Sequence, residues 1–184
     1  MAKEVFSTKQ KAVFLDRDGC LIVDRIYLND VKQIEYLPGV FSALRMLRDE
    51  GYIFMIATNQ SGVARGIVRI ENLYAIHAQI KADFAREGVD LLDFYYAPYM
   101  TDTDHPVRKP NPGMLLRGAM DFNVDLKQSW MVGDRMTDVE CGHRAGCRSA
   151  LMGTGESPKD SKYAPPEIHA PGLFEVAEGI LRLR

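Results

Sequence analysis

Two carboxylates stand two residues apart at the end of a short apolar run. The run is Ala12 to Leu15, and Asp16-Arg17-Asp18-Gly19 follows it directly. Gly19 permits a sharp turn, so both carboxylates can face one pocket. Two such anions repel each other unless a cation binds between them, and magnesium prefers oxygen ligands of this kind. An aspartate at a strand end more often caps a helix or turn, so the pair needs partners elsewhere in the chain.

Three further segments supply such partners. Thr58-Asn59-Gln60-Ser61-Gly62 follows an apolar run, and a hydroxyl followed by backbone N–H groups can cradle a phosphate. Lys109 lies between Arg108 and Pro110, and the nearby prolines stiffen the segment that carries it. Asp134 follows another apolar run and adds a third carboxylate. The four segments together favour a phosphoryl-transfer site over isolated capping residues.

Short β-rich runs alternate with helical patterns, which predicts a parallel sheet flanked by helices. The predicted strands cover residues 12–15, 52–57, 93–97, 129–132 and 148–152, and the predicted helices cover 40–50, 70–87, 136–145 and 173–183, with one more that begins at Pro112. Residues 155–171, with four prolines, are predicted to be a surface connection. Ligands of such sheets bind outside the carboxyl ends of the strands, where the polar segments above are expected to converge.

Composition narrows the class of protein. A length of 184 residues suits a single domain over 1–184, and 46% hydrophobic with 26% charged residues is ordinary for a globular chain. A net charge of −2 without a Lys/Arg run argues against nucleic acid as a partner. Three cysteines without a CxxC pair, no signal peptide and no apolar stretch of about 20 residues predict a cytoplasmic protein that binds no membrane.

The order of the four motifs resembles that of the haloacid dehalogenase superfamily of phosphotransferases. The motifs occur here as Asp16 to Gly19, Thr58-Asn59, Lys109-Pro110 and Gly133 to Asp138. The resemblance implies an α/β fold with a Rossmann-like, doubly wound parallel sheet. It also implies a capless member, because no long insertion follows the first motif or separates the second from the third.

The resemblance implies a role for each motif residue. Asp16 attacks phosphorus and Asp18 serves as general acid and then base, while Thr58 and Lys109 hold the phosphoryl oxygens. A Mg²⁺ ion is bound by Asp16, Asp134 and the backbone carbonyl of Asp18. Asp138 is expected to orient Lys109 or a metal-bound water.

Longer strings around these motifs resemble a subfamily whose members hydrolyse heptose bisphosphates or histidinol phosphate. Tyr27, Leu37 to Val40 and Tyr95-Tyr96 favour the heptose branch. The resemblance implies a small phosphorylated substrate, with Arg108 or Arg135 for a distal phosphate. The substrate-binding residues it implies are Asp24, Tyr27, Asn59, Gln60, Ser61, Arg65, Arg108 and Arg135.

Two positions depart from the subfamily pattern. Members commonly carry a zinc loop, Cys-Pro-x-His then Cys-x-Cys, before Arg-Lys-Pro, but residues 97–108 contain no cysteine here, so no zinc is expected. Cys20 stands where threonine is usual, and no neighbouring base suggests a nucleophilic thiol.

Alternative functions stay open at this point. Histidinol phosphate is the alternative substrate, and a receiver-like domain that stores a phospho-aspartate is the alternative class. Asp18 argues against storage because it favours rapid hydrolysis. As a small capless chain, the protein is expected to be a monomer.

Overall fold

The computed structural model describes residues 7–153, 156 and 158–183. Within these ranges six strands form one sheet: β1 Lys11–Leu15, β2 Tyr52–Asn59, β3 Leu91–Ala97, β4 Trp130–Gly133, β5 Arg148–Met152 and β6 Ile168–Ala170. The strand order is β3-β2-β1-β4-β5-β6, and every neighbouring pair is parallel. The chain builds outward from β1 to β3 and then crosses to the other side of β1 at β4. This reversal makes the sheet doubly wound, as predicted.

Helices cover both faces of the sheet. The described helices are α1 Val40–Asp49, α2 Ser61–Ala64, α3 Ile70–Arg86, α4 Gly113–Asp121, α5 Met136–Ala145 and α6 Leu173–Arg182, with short 3-10 turns at Val31–Gln33, Leu126–Gln128 and Pro158–Asp160. None of the described helices is both long enough and apolar enough to cross a membrane.

Strand β1 shows how the sheet builds a core on each face. Val13 and Leu15 belong to the cluster packed by α1, α3 and α6, whereas Ala12 and Phe14 belong to the cluster packed by α4 and α5. All four side chains are fully buried. Successive side chains of a strand point to opposite faces, so a strand covered on both sides is apolar at every position.

The predicted helices and the five predicted strands are present, most with ends shifted by one or two residues. Residues 155 and 157 of the predicted surface connection over 155–171 lie outside the described residues. The prediction was wrong near the end of that range, because Ile168–Ala170 forms β6 beside β5. A three-residue edge strand is too short to show a periodic pattern in the sequence. It forms because it pairs with β5, which the sequence alone does not indicate. Helix α2, a single turn, was also missed.

Candidate active site

A cavity of about 550 Å³ opens where the strand order reverses, at the carboxyl ends of the central strands. Ligands of doubly wound sheets bind at this reversal point. The residues that line the cavity are Asp16, Asp18, Asp24, Ile26, Tyr27, Thr58, Asn59, Ser61, Thr101, Arg108, Lys109, Pro110, Arg135, Thr137, Asp138, Glu156 and Tyr163. The cavity therefore joins residues of all four motifs.

Three carboxylates cluster at the acidic end of the cavity, which two of them, Asp16 and Asp138, line. Asp16, Asp134 and Asp138 each bring one oxygen to within 4.8 Å of the other two. The backbone N–H of Asp16 donates to the Val132 carbonyl at 2.9 Å, which ties the first motif to β4. Asp16 follows β1 and Asp134 follows β4, so the sheet itself brings these two residues together.

The acidic cluster fits a hard cation. Burial, followed by the charges of Asp138 and Asp16, raises the pKa of Asp134 to about 7. One oxygen of Asp134, Oδ1, is buried and has no hydrogen-bond partner among the described residues. A buried carboxylate oxygen without a donor is costly unless a cation binds it, and Mg²⁺ takes oxygen ligands of this type.

Two glycines allow the cluster to close. A Cβ atom on Gly19, whose φ is +74°, would lie 2.3 Å from Asp134 Oδ2. A Cβ on Gly133 would lie 2.2 Å from Asp138 Oδ2. Real Cβ atoms do not approach an oxygen so closely, so a side chain at either position would force the neighbouring carboxylate to move.

Lys109 is the buried cation beside these carboxylates. Its side chain is only 2% exposed, and Nζ lies 3.0 Å from Asp16 and 2.6 Å from Asp138. Nζ also donates to the Ala57 carbonyl at 2.8 Å. Burial lowers the pKa of Lys109, but the charges of Asp138 and Asp16 outweigh it and the net pKa is raised. The ammonium therefore stays protonated.

Asn59 holds the lysine segment in place. Its side-chain oxygen accepts from the Lys109 backbone N–H at 3.1 Å, and its Nδ2 donates to the Lys109 carbonyl at 3.1 Å. Asn59 lines the cavity as well, and it was predicted to bind substrate. Through these two hydrogen bonds Asn59 also has a structural role, because they join the end of β2 to the third motif.

Asp138 belongs to the first turn of α5. Its carboxylate accepts from the backbone N–H of Arg135 at 3.1 Å, which caps the helix. Burial raises the pKa of Asp138, the Lys109 charge lowers it, and the net shift is upward. One carboxylate therefore links the helix cap to the Lys109 ammonium.

Asp18 lies outside the acidic cluster. Its carboxylate accepts from Arg17 Nη2 at 2.7 Å and from Gln60 Nε2 at 2.9 Å. Gln60 Nε2 also lies 2.9 Å from Thr58 Oγ1, so one amide links the first and second motifs. The predicted metal ligand of Asp18 is its backbone carbonyl, and that assignment stays a prediction.

Arg108 and Arg135 form a basic rim of the cavity. Arg135 Nη2 lies 3.3 Å from Asp24 Oδ2, and Arg108 Nη1 donates to the Tyr99 carbonyl at 3.2 Å. Burial, followed by the charges of Arg135 and Arg65, lowers the pKa of Arg108. Burial also lowers the pKa of Arg135, but the charges of Asp134 and Asp24 outweigh it and the net pKa is raised. Two guanidinium groups on one cavity create a local positive potential suited to an anion.

Most residues predicted to bind substrate line the cavity, namely Asp24, Tyr27, Asn59, Ser61, Arg108 and Arg135. Gln60 and Arg65 do not. Gln60 is buried beneath Asp18, and Arg65 donates to Thr101 Oγ1 at 3.3 Å. Sequence reasoning missed Arg17 as well as the lining residues Thr101, Thr137, Glu156 and Tyr163. Arg17 and Thr137 lie inside motifs but were given no role, whereas the other three lie outside the motifs.

The structure shows the surroundings of the two departures from the subfamily pattern, Cys20 and the cysteine-free segment 97–108. The Cys20 thiol is fully buried 3.7 Å from the Val132 carbonyl, and burial raises its pKa well above its usual range, so it is no nucleophile. In the segment before Arg108, the rings of Tyr99 and His105 stack with centroids 3.7 Å apart. His105 Nδ1 also accepts from the Val107 N–H at 3.3 Å. The absence of zinc stays a prediction.

Comparison with known sequences gives the family. A family model described as HAD-hydrolase-like matches residues 106–176. D-glycero-beta-D-manno-heptose-1,7-bisphosphate 7-phosphatase of Pasteurella multocida is 36% identical over 149 residues, which cover 78% of this chain and 81% of that protein. The enzyme of the same name from Vibrio cholerae is 33% identical over 181 residues, 94% of this chain and 97% of that protein. D-glycero-alpha-D-manno-heptose-1,7-bisphosphate 7-phosphatase of Campylobacter jejuni is 31% identical over 155 residues, which cover 84% of this chain and 88% of that protein.

Comparison with solved structures points to the same family as the comparison of sequences. The crystal structure of D,D-heptose 1,7-bisphosphate phosphatase from B. bronchiseptica, complexed with magnesium and phosphate, superimposes with a TM-score of 0.85 at 31% identity. That similarity covers 95% of this chain and 100% of the other. These named relatives are phosphatases, which favours an enzyme over a signalling receiver. The chain therefore belongs to the haloacid dehalogenase superfamily, in the family of these heptose bisphosphate phosphatases.

Proposed function

We propose that the protein is a magnesium-dependent phosphatase that hydrolyses D-glycero-D-manno-heptose 1,7-bisphosphate to heptose 1-phosphate and phosphate. The observation that carries the proposal is the pairing of a nucleophile with its charge partners: the Asp16 carboxylate lies 3.0 Å from the buried Lys109 ammonium and within the three-carboxylate cluster. The names of the relatives support the substrate, and magnesium with phosphate in the related crystal structure supports the cofactor.

The chemistry assigned to these residues has two steps. In the first, an Asp16 oxygen attacks phosphorus, the bond between phosphorus and the sugar oxygen breaks, and Asp18 gives its proton to the departing oxygen. In the second, Asp18 takes a proton from water, which attacks the phospho-aspartate and releases phosphate. Asp16 and Asp18 thus return to their starting states, and Thr58 and Lys109 hold the phosphoryl oxygens throughout.

Magnesium belongs to the acidic end of the cavity. Asp16, Asp134 and the backbone carbonyl of Asp18 are the proposed ligands, and the ion supplies positive charge that neutralises the transferring phosphoryl group. The buried, unpartnered Asp134 Oδ1 supports a cation at this position. We assign no zinc to the protein, because residues 97–108 contain no cysteine.

A bisphosphate needs a second anion site, and the arginine rim supplies one. Arg108 and Arg135 line the same cavity as Asp16, and each can bind a phosphate through paired hydrogen bonds. Histidinol phosphate, the alternative substrate, has a single phosphate and would leave this rim without an anion. The rim therefore favours the heptose bisphosphate. The protein is further proposed to act as a cytoplasmic monomer.

Phosphate release from a substrate panel tests the proposal. The panel contains both anomers of heptose 1,7-bisphosphate, histidinol phosphate, fructose 1,6-bisphosphate and a nucleoside monophosphate, each with magnesium and with EDTA. We expect a heptose bisphosphate to turn over fastest, and Asp16→Asn or EDTA to abolish release. Asp90→Asn, at an exposed aspartate, is the matched control and should leave activity unchanged. Magnesium-dependent release that is equal in Asp16→Asn and wild type would contradict the mechanism.

A further inference from the structure

A buried arginine holds the carboxylate of Asp18. The Arg17 side chain is 1% exposed, and its Nη2 lies 2.7 Å from Asp18 Oδ2 and 3.0 Å from Oδ1. Its Nε lies 3.2 Å from each of the same oxygens. Nη2 also donates to Gln60 Oε1 at 3.1 Å. Two of the three guanidinium nitrogens therefore contact Asp18.

The third nitrogen meets a histidine that none of the motifs contains. Arg17 Nη1 lies 3.3 Å from Nε2 of His77, a residue of α3 that is 7% exposed. Arginine has donors only, so the His77 nitrogen must accept with its lone pair and the ring must be neutral. Burial, followed by the Arg17 charge, lowers the pKa of His77 to about 3, which agrees with a neutral ring.

Aromatic side chains of β3 pack against the His77 ring and hold it in place. It stacks on Phe94 of β3 with ring centroids 4.6 Å apart and planes at 25°. It also meets the edge of Tyr96 at 6.0 Å. Nε2 is thus held toward Arg17 by the packing of α3 on the sheet, about 60 residues along the chain from the motif that it contacts.

We propose that His77 is a positioning residue for the general acid and base Asp18, acting through Arg17. This inference rests on the phosphatase function proposed above. The neutral acceptor satisfies Arg17 Nη1 and leaves Nε and Nη2 oriented toward Asp18, so the position of the Asp18 carboxyl group is fixed. A carboxylate at position 77 would compete with Asp18 for the guanidinium, and an apolar side chain would leave a buried donor without a partner.

Three variants separate positioning from packing. His77→Gln keeps a neutral acceptor, His77→Glu has the same size but adds a competing charge, and His77→Leu removes the acceptor. We expect His77→Gln to keep kcat within about threefold of wild type. His77→Glu and His77→Leu should lower kcat by about tenfold or more with KM nearly unchanged, since general acid–base catalysis contributes about 10²–10⁴-fold.

The leaving group supplies a readout that a packing role would not move. kcat/KM reports the steps up to formation of the phospho-aspartate, in which Asp18 protonates the departing oxygen. A sugar alkoxide needs that proton, whereas p-nitrophenolate leaves with little assistance. His77→Glu should therefore lower kcat/KM for the heptose bisphosphate about tenfold more than for p-nitrophenyl phosphate. Melting temperatures measured in parallel identify any loss that comes from unfolding.

The activities of the variants decide whether His77 positions Asp18. Equal kcat in the Gln and Glu variants, or an equal loss on both substrates, would overturn the positioning role even if His77→Leu does not fold. A wild-type protein that releases phosphate from no substrate would instead refute the proposed function. Selective loss in His77→Glu, with recovery in His77→Gln, would establish the role.

Discussion

Replacing Lys109 with methionine removes the buried charge on which the acidic end of the cavity depends. Methionine keeps much of the length and volume of the side chain but has no ammonium. Asp16 and Asp138 then lose a cation at 3.0 and 2.6 Å, and the Ala57 carbonyl loses a donor at 2.8 Å. Asp16 and Asp138 line the cavity, but their side chains are only 12% and 1% exposed, so water can replace the lost partner only in part.

The magnitude follows from this burial. Removing one partner of a buried ion pair costs about 3–5 kcal/mol, because the remaining charge is left uncompensated. For a domain of this size 1 kcal/mol corresponds to about 2–4 °C in Tm, so metal-free Lys109→Met should melt about 6–20 °C below wild type. Loss of one charged donor to the phosphoryl group should also lower kcat by about 10²–10³-fold.

Calorimetry in EDTA and phosphate release in magnesium measure the two effects. Lys32→Met, at an exposed lysine, is the matched control and should stay within about 0.5 kcal/mol of wild type. Magnesium should raise the Tm of Lys109→Met by more than that of wild type, since the ion then neutralises carboxylates that have no other cation. If Lys109→Met melts with wild type and Lys32→Met, the reasoning about the buried ion pairs is wrong.

Three further results are expected. Burial and neighbouring carboxylates raise the pKa of Asp134 to about 7. Without metal, the stability that this group contributes is therefore complete below about pH 4 and is lost as the pH rises through 7. Magnesium should raise Tm more at pH 8 than at pH 5, and an equal shift would contradict this assignment. Gly19→Ala should abolish phosphate release, because the new Cβ would lie 2.3 Å from Asp134 Oδ2, whereas Gly66→Ala, with similar positive φ and no atom within 4 Å, should cost stability only. Arg108→Met should raise KM about tenfold for a sugar bisphosphate but little for a monophosphate, and an equal rise for both would remove Arg108 from the distal site.

The sequence was sufficient to predict where the proposed reacting residues lie in the fold. Asp16, Thr58 and Asp134 lie at or just after the ends of apolar runs, and a parallel sheet brings the carboxyl ends of its strands to one edge. Residue type and position relative to a strand are local properties. For this reason the doubly wound fold, and the edge of the sheet at which the cavity opens, could be predicted without any knowledge of packing.

The sequence was less informative about which polar group contacts which. Gln60 was predicted to bind substrate, but it lies beneath Asp18 and joins it to Thr58. Arg65 contacts Thr101 instead of lining the cavity. Both residues lie in or near a loop whose backbone direction depends on how α2 and α3 pack. Side chains one residue apart in such a loop can face opposite directions.

The sequence by itself determined which reaction to propose, because two carboxylates two residues apart and a proline-flanked lysine are recognisable from residue type and order. Only the tertiary structure decided how these groups are held. It brought Asp138 into the acidic cluster, turned the Asp18 carboxylate toward Arg17, and set His77 of α3 against that arginine. Contacts between segments about 60 residues apart depend on helix packing against the sheet, and no local pattern in the chain encodes them.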